Sequence, residues 1–391
     1  MNYDDFINPA VGAIPPSGIR KFFDLVSTTE GAISLGVGEP DFVTPWSYRD
    51  SAIRSIVSGK TGYTANRGDP ALVGEIARYC SARFGHDYDE NEIIVTVGAS
   101  EGIDLALRTL VCPGDGVLIP DPSYVSYAPN VAIVGGVAKP VHTAAQGGFA
   151  LTAAALENAI DETSKILVLP YPNNPTGAVL GHDELVAISE VARRHNLFVI
   201  ADEIYAELTY GRRHASIAAI DGMKERTVVI NGFSKAFAMT GWRIGYMCAP
   251  APVTAAALKI HQYTIMCAPT ASQAAAKEAL RDGRENGYEN IERMRNEYDK
   301  RRKFAVAALN DMGLSCHLPG GAFYAFPDVS RVAENGEAFA EKLLKTQKVA
   351  VVPGGAFGSR GAKHIRCTYA ANVQTLEIAF ERMRRFITES M

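Results

Sequence analysis

Between Thr227 and Tyr246 the chain reads TVVINGFSKAFAMTGWRIGY. An apolar run, Thr227 to Ile230, stops at the turn signal Asn231-Gly232, and Ser234 and Lys235 follow at once. A lysine directly after a buried strand sits at a strand end, where open α/β sheets hold their ligands. Desolvated, or set beside another cation, such a lysine sheds its proton and can form an imine with a carbonyl. Ser234 and Arg243 bracket it with a hydroxyl and a fixed positive charge, a pair suited to a phosphate. Alone, the lysine reads better as a surface-loop residue, so the chemistry depends on partners elsewhere in the chain.

Several polar residues fall just past the ends of other apolar runs. Gly98, Ala99 and Ser100 lie between a predicted strand and a predicted helix, where backbone N–H groups and the helix dipole favour an anion. Glycine-rich turns of this kind are common, so the signal is weak by itself. Tyr124 follows Asp121-Pro122-Ser123 and offers a ring that either stacks on a flat ligand or simply packs. Asn174 sits in Asn-Asn-Pro-Thr-Gly, a rigid turn with an amide in it. Asp202 ends the apolar run Phe198 to Ala201, where a carboxylate is costly unless paired or capping a helix. Tyr205 is three residues on. A phosphate cradle, a stacking ring, an amide, a phenol, a buried carboxylate and an imine-forming lysine together fit one ligand, pyridoxal phosphate, whose ring nitrogen wants an acidic neighbour.

The elements that must position these residues alternate. Strands are predicted in Glu92–Gly98, Asp115–Tyr124, Lys165–Gly177, Leu197–Tyr205, Thr227–Lys235 and Arg243–Pro250, with helices over Ala99–Val111 and His182–Asn196. This pattern predicts an α/β unit over residues 46–285, a mostly parallel sheet covered by helices on both faces. From residue 286 the character changes to a long charged helix, short strands in GGAFYAFPDV, KVAVVPG and HIRCTYA, and a C-terminal helix. Residues 286–391 with 17–45 form a smaller α+β unit, which a short strand near Ile33 could join. Residues 1–16 are an irregular arm that either packs on another subunit or frays, and Ser17 could cap a short helix, Gly18–Val26. The chain's 391 residues and 47% apolar content allow a core of this size. A net charge of -4 gives no reason to expect nucleic acid or an anionic membrane. No window has the length a membrane span needs, and the N-terminus lacks the features of a signal peptide. Six scattered cysteines without a C-x-x-C argue against a zinc site or a disulfide framework and fit a reducing cytoplasm.

With SLGVGEPDF, VTVGASE, DPSYVSYAP, NNPTG, ADEIY and SKAFAMTGWRIG in this order, the chain resembles the class I aminotransferases of fold type I, which use pyridoxal phosphate. It is most similar to the bacterial and archaeal branch that holds aromatic, aspartate and N-acetyl-diaminopimelate aminotransferases. The resemblance implies a large domain with a seven-stranded, mostly parallel sheet and a smaller α+β domain. It implies that Lys235 binds the cofactor aldehyde and shuttles a proton, that Asp202 pairs with the pyridine nitrogen, and that Asn174 and Tyr205 hold the phenolic oxygen. Tyr124 would stack on the ring. Ala99, Ser100, Ser234 and Arg243 would hold the phosphate, joined by Tyr63 from the other subunit of a homodimer. Arg366 would bind the substrate α-carboxylate, with Gly38 and Asn174 beside it. Arginine in a strand is otherwise most often a surface residue, and Tyr63 otherwise a turn residue.

The implied activity moves the amino group of an L-amino acid, aromatic or aspartate, to a 2-oxo acid such as 2-oxoglutarate. Alternatives are an N-acetyl-diaminopimelate aminotransferase, or a carbon–sulfur β-lyase or aminocyclopropane-carboxylate synthase with the same cofactor. A transcription regulator built on this fold carries a DNA-binding module ahead of it, for which the residues before Gly38 leave no room. Side-chain choice falls by position to Ile19, Arg20, Tyr63, Tyr263 and Thr264; a dedicated second arginine for dicarboxylic acids is not evident, and Ile19 with Tyr263 would tolerate aromatic side chains.

Overall fold

The computed structural model describes residues 1–16, 18, 19, 26 and 29–390. Of the expected helix Gly18–Val26, residues 20–25, Arg20 among them, lie outside the described residues, as does Ser17. Twelve strands are present among those described: β1 Ile33–Ser34, β2 Ile93–Thr96, β3 Gly116–Asp121, β4 Val137–His142, β5 Ser164–Leu169, β6 Phe198–Asp202, β7 Thr227–Gly232, β8 Gly245–Cys248, β9 Tyr324–Ala325, β10 Val349–Ala350, β11 Val352–Pro353 and β12 Ile365–Thr368.

Seven of these form one sheet in the order β2-β8-β7-β6-β5-β3-β4. The run from β4 to β7 is parallel throughout, and β8 enters antiparallel between β7 and β2. The central strands are short apolar runs because both faces are covered. Successive side chains leave a strand on opposite sides, and the core divides accordingly. Ile94, Leu107, Val117, Ile166, Ile200, Val228 and Met247 pack on one face. Val95, Leu118, Leu167, Val199, Val229 and Tyr246 pack on the other. Each such burial contributes roughly 1.5–3 kcal/mol relative to exposure. The sheet thus has no free face to offer a ligand. What it offers is the edge where Thr96, Asp121, Leu169, Asp202 and Gly232 end their strands together.

A separate cluster gathers Leu35, Leu309, Phe323, Phe339, Tyr369 and Met383. It is built on the antiparallel trio β11-β12-β9, with Val352 opposite Arg366 and Cys367 opposite Ala325. The strand expected near Ile33 does join this part of the chain, where Ile33 pairs with Val349. The charged helix runs from Glu289 to Asp311, and the C-terminal helix from Val373 to Ser390. Strand β4 was not expected: it is half-exposed and contains Pro140, and it lies at the sheet edge where a missing N–H is tolerated. No helix among the described residues is long and apolar enough to cross a membrane.

Candidate active site

A cavity of about 390 Å³ opens at the shared strand edge. It is lined by Gly38, Ala99, Ser100, Tyr124, Asn174, Asp202, Tyr205, Ser234, Lys235, Arg243 and Arg366. Residues brought together here span the sequence from 38 to 366, so the sheet edge, not local sequence, assembles the site. Tyr63 is the one expected site residue that does not line it: its side chain is 82% exposed, against a separate surface hollow. Ile19 reaches the cavity wall, whereas Tyr263 is exposed and off it, as is Thr264.

Lys235 follows β7 by three residues, and its Nζ donates to the carbonyl of Gly38 at 2.5 Å. Burial lowers its pKa to about 8, and the nearby Arg366 and Arg243 charges push the same way against the opposing carboxylates of Glu39 and Asp202. An amine in that state is a nucleophile near neutral pH.

Asp202 ends β6 at 6% exposure. Its Oδ2 accepts from the Tyr127 phenol at 2.7 Å and its Oδ1 from the Ile204 N–H at 3.2 Å. Burial pushes its carboxyl above the usual range, with the Tyr127 hydrogen bond opposing. Neither hydrogen-bond partner is a cation, and the nearby Lys235 charge does not offset burial, so the carboxylate is left short of positive charge. A protonated ring nitrogen would supply it.

Arg366 on β12 is 3% exposed. It donates through Nη1 to Asn174 Oδ1 at 2.8 Å and through Nη2 to the Gly36 carbonyl at 2.7 Å. Its Nε is buried and has no hydrogen-bond partner among the described residues. The Tyr324 ring lies 4.4 Å from its Cζ and the Phe357 ring 4.9 Å. A planar cation held in this way is set for a bidentate carboxylate. Tyr205 and Tyr324 share a phenol–phenol hydrogen bond of 2.8 Å, and burial raises the Tyr205 pKa well above that of a free phenol.

At the opposite end of the cavity the helix Gly98–Leu110 begins. Gly98 has φ +74°, and a Cβ placed there would stand 2.7 Å from Arg243 Nη2. Only glycine therefore lets the guanidinium approach the first turn. Arg243, itself at φ +50°, donates to the Thr240 carbonyl at 3.0 Å. Ser234 is buried at the same end. The helix start, the hydroxyl and the guanidinium make a cradle for a dianion. Tyr124 meets Tyr127 edge to face, ring centroids 5.8 Å apart.

The set fits pyridoxal phosphate: a cradle of N–H groups and one arginine, a carboxylate short of a cation, a deprotonable lysine and an arginine with an unpaired donor. Two residues of the site were not expected from sequence. Tyr127 is the first residue of a short helix, Tyr127–Ile133, that follows the Tyr124 loop. Tyr324 carries no local signal, because it meets Tyr205 across 119 residues.

A family model described as aminotransferase class I and II matches residues 30–383. A Bacillus subtilis (strain 168) protein whose name gives the aminotransferase class and no substrate is 53% identical over 383 residues, 98% of either chain. The aspartate aminotransferase of Pyrococcus abyssi is 42% identical over 378 residues, 96% of this chain and 97% of its own. Among solved structures, an aromatic aminotransferase from Pyrococcus horikoshii aligns with a TM-score of 0.90 at 40% identity, over 95% of this chain and 99% of that one.

Proposed function

The chain belongs to the class I and II aminotransferases, enzymes that move amino groups with pyridoxal phosphate, and from that premise we propose that its cavity takes an L-aromatic or L-aspartate donor and passes the amino group to a 2-oxo acid such as 2-oxoglutarate. One observation carries the assignment of the site: Lys235, with its pKa brought down to about 8, opens into the same cavity as the buried Asp202 carboxylate and the Arg366 guanidinium.

When bound, the cofactor supplies an aldehyde that captures the amino group and a ring that draws electrons away from the substrate Cα. The chain's own residues do the rest. Arg366 holds the α-carboxylate, with Asn174 fixing the guanidinium and the Gly38 backbone beside it. Lys235 Nζ takes the proton from Cα and redelivers it, which its lowered basicity favours near neutral pH. Asp202, held in place by Tyr127, would keep a positive charge on the bound ring nitrogen. Asn174 and Tyr205 would hold the phenolic oxygen, Tyr124 would cover the ring, and Ala99, Ser100, Ser234 and Arg243 would hold the phosphate.

The arginines that line the cavity among the described residues are Arg243 and Arg366. With Arg243 at the phosphate cradle, Arg366 is left for the α-carboxylate. Ile19 on the wall then favours an aromatic side chain over an acidic one. Residues 46–285 form the cofactor-binding domain, and 17–45 with 286–391 the smaller one. A homodimer is supported by Trp46, Val57, Tyr63 and Tyr263, apolar or aromatic side chains 62–84% exposed in the single chain. In that dimer Tyr63 reaches the partner's phosphate cradle. All six cysteines are free, which is in keeping with the cytoplasm.

The test is a panel of L-amino acids added to the holoenzyme, with the visible absorbance of the bound cofactor followed in the absence and presence of 2-oxoglutarate. Phenylalanine or tyrosine is expected to bleach the band and the oxo acid to restore it. If neither aromatic nor acidic amino acids do so, the substrate reading fails. Sedimentation reads the dimer, and Tyr63→Phe is expected to weaken cofactor binding to the apoprotein.

A further inference from the structure

We propose that Asp121 is a positioning residue that latches the segment carrying Phe357 onto the end of β3 and so sets the Arg366 guanidinium for the substrate carboxylate. The proposal rests on the reading of Arg366 as the carboxylate anchor.

Asp121 is the last residue of β3 and is 6% exposed. A carboxylate this buried needs donors. Its Oδ2 accepts from the Ser359 hydroxyl at 2.7 Å and lies 3.2 Å from His142 Nδ1. Its Oδ1 accepts from the Arg360 backbone N–H at 3.3 Å. Two of these donors belong to the turn that follows β11, more than two hundred residues away in sequence. Gly358 makes the approach feasible: its φ is +135°, and a Cβ there would sit 1.9 Å from Asp121 Oδ1. Immediately beyond, the Ser123 N–H donates to the Phe357 carbonyl at 2.9 Å. The strand end thus grips residues 357–360 at three points, two through the Asp121 carboxylate and one through the N–H of Ser123.

Phe357 is what the grip fixes. It is 5% exposed, and its ring lies 4.9 Å from Arg366 Cζ. Arg366 already uses Nη1 and Nη2 on Asn174 and Gly36, so its plane is set by those bonds and by the two rings against it. Loosening residues 357–360 loosens one of those rings. A binding group that is less fixed before substrate arrives binds it less well, because the ordering must then accompany binding. Lys235 lies past the end of β7 and the phosphate cradle at the start of the helix Gly98–Leu110, and neither makes a hydrogen bond to residues 357–360.

Asp121→Asn keeps the shape but puts an amide N–H₂ where an oxygen now accepts. Ser359→Ala removes one donor and disturbs nothing buried beyond it. Two readouts separate the latch from its consequence. Hydrogen exchange of the amides of residues 357–361 in the holoenzyme reports the latch itself and is expected to quicken in both variants. Steady-state kinetics report the consequence: KM for the amino acid and for 2-oxoglutarate is expected to rise about tenfold in Asp121→Asn with kcat within about threefold. Cofactor affinity of the apoprotein, read by absorbance titration, is expected to stay within about twofold of wild type. Unchanged exchange in both variants overturns the latch. Faster exchange with unchanged KM, or a fall in kcat alone, overturns its positioning role. An Arg366→Lys enzyme with unchanged KM would instead overturn the reading of Arg366 on which the proposal stands. If Asp121→Asn does not fold, Ser359→Ala decides by the same two readouts.

Discussion

Arg366 donates to the side-chain oxygen of Asn174 at 2.8 Å, across 192 residues of sequence. The bond joins β12 of the small antiparallel trio to the turn that follows β5 of the large sheet. It puts the proposed carboxylate anchor and the amide proposed for the cofactor in one rigid unit, so substrate and cofactor are registered against each other before either arrives. Preorganised geometry of this kind is where much of an enzyme's rate advantage resides.

Asn174→Ala therefore does more than remove an amide. It leaves a buried guanidinium N–H with no acceptor, a loss of about 1–3 kcal/mol. The expected outcome is a fall of roughly 10–100-fold in kcat/KM for every amino donor, on the scale of 1.4 kcal/mol per tenfold. Steady-state rates across aromatic and acidic donors check it. An effect confined to one donor class would contradict the geometry, because the α-carboxylate is common to all.

Tyr127→Phe isolates the support of Asp202. The phenol stabilises the anion against burial, which pushes the carboxyl up. Without it the carboxyl rises further, and the anion forms only at higher pH. A hydrogen bond to a charged group contributes about 1.5–3 kcal/mol. The expected result is a drop in kcat of roughly 10–100-fold at pH 7, partly recovered as pH rises because the anion returns. A pH–rate profile of the variant against wild type reads this directly.

The core of this arrangement was legible in the sequence, and the reason is physical. Strands buried on both faces must be short apolar runs, so β2, β3 and β5 to β8 announced themselves. A polar residue at the end of such a run stands out, which is why the sequence singles out Asp202 and Lys235, and both line the cavity. Strand β4 escaped because it is an edge with Pro140 in it, and an edge need not be uniformly apolar. Tyr324 and the Asp121–Ser359 contact escaped because each joins residues more than a hundred positions apart. Nothing in a local pattern encodes which distant segment a side chain will meet. Tyr63 is a different case: the single chain leaves it on the surface, and its expected role needs a second copy.

Gly98→Ala tests the proposed phosphate cradle. The position has φ +74°, which L side chains rarely adopt, and the added methyl carbon would fall 2.7 Å from Arg243 Nη2. Strain of this order destabilises by about 1 kcal/mol or more. The more telling effect is on the arginine, which must withdraw from the helix start. Cofactor affinity of the apoprotein is expected to fall at least about tenfold, while a charge-preserving Arg243→Lys falls by less. Absorbance titration with pyridoxal phosphate reads both. An alanine variant that binds as tightly as wild type would show that the cradle tolerates a displaced arginine.

Lys235 is the place where function opposes stability. Its pKa stands at about 8 in the folded chain against 10.5 for a free lysine, because burial and two nearby guanidinium groups disfavour its charge. Between those two values the unfolded chain binds more protons than the folded one, so stability rises with pH across that window. Below about pH 8 the full penalty is present, roughly 3 kcal/mol at about 1.4 kcal/mol per pKa unit. Lys235→Met removes the charge at similar volume. In the cofactor-free protein it is expected to be more stable than wild type at pH 7, with the gap closing between pH 8 and 10.5. Urea denaturation of both apoproteins at a series of pH values measures the gap. A constant gap across that window would mean that the lysine keeps its ordinary basicity, and the proton-shuttling role assigned to it would then lack its physical basis.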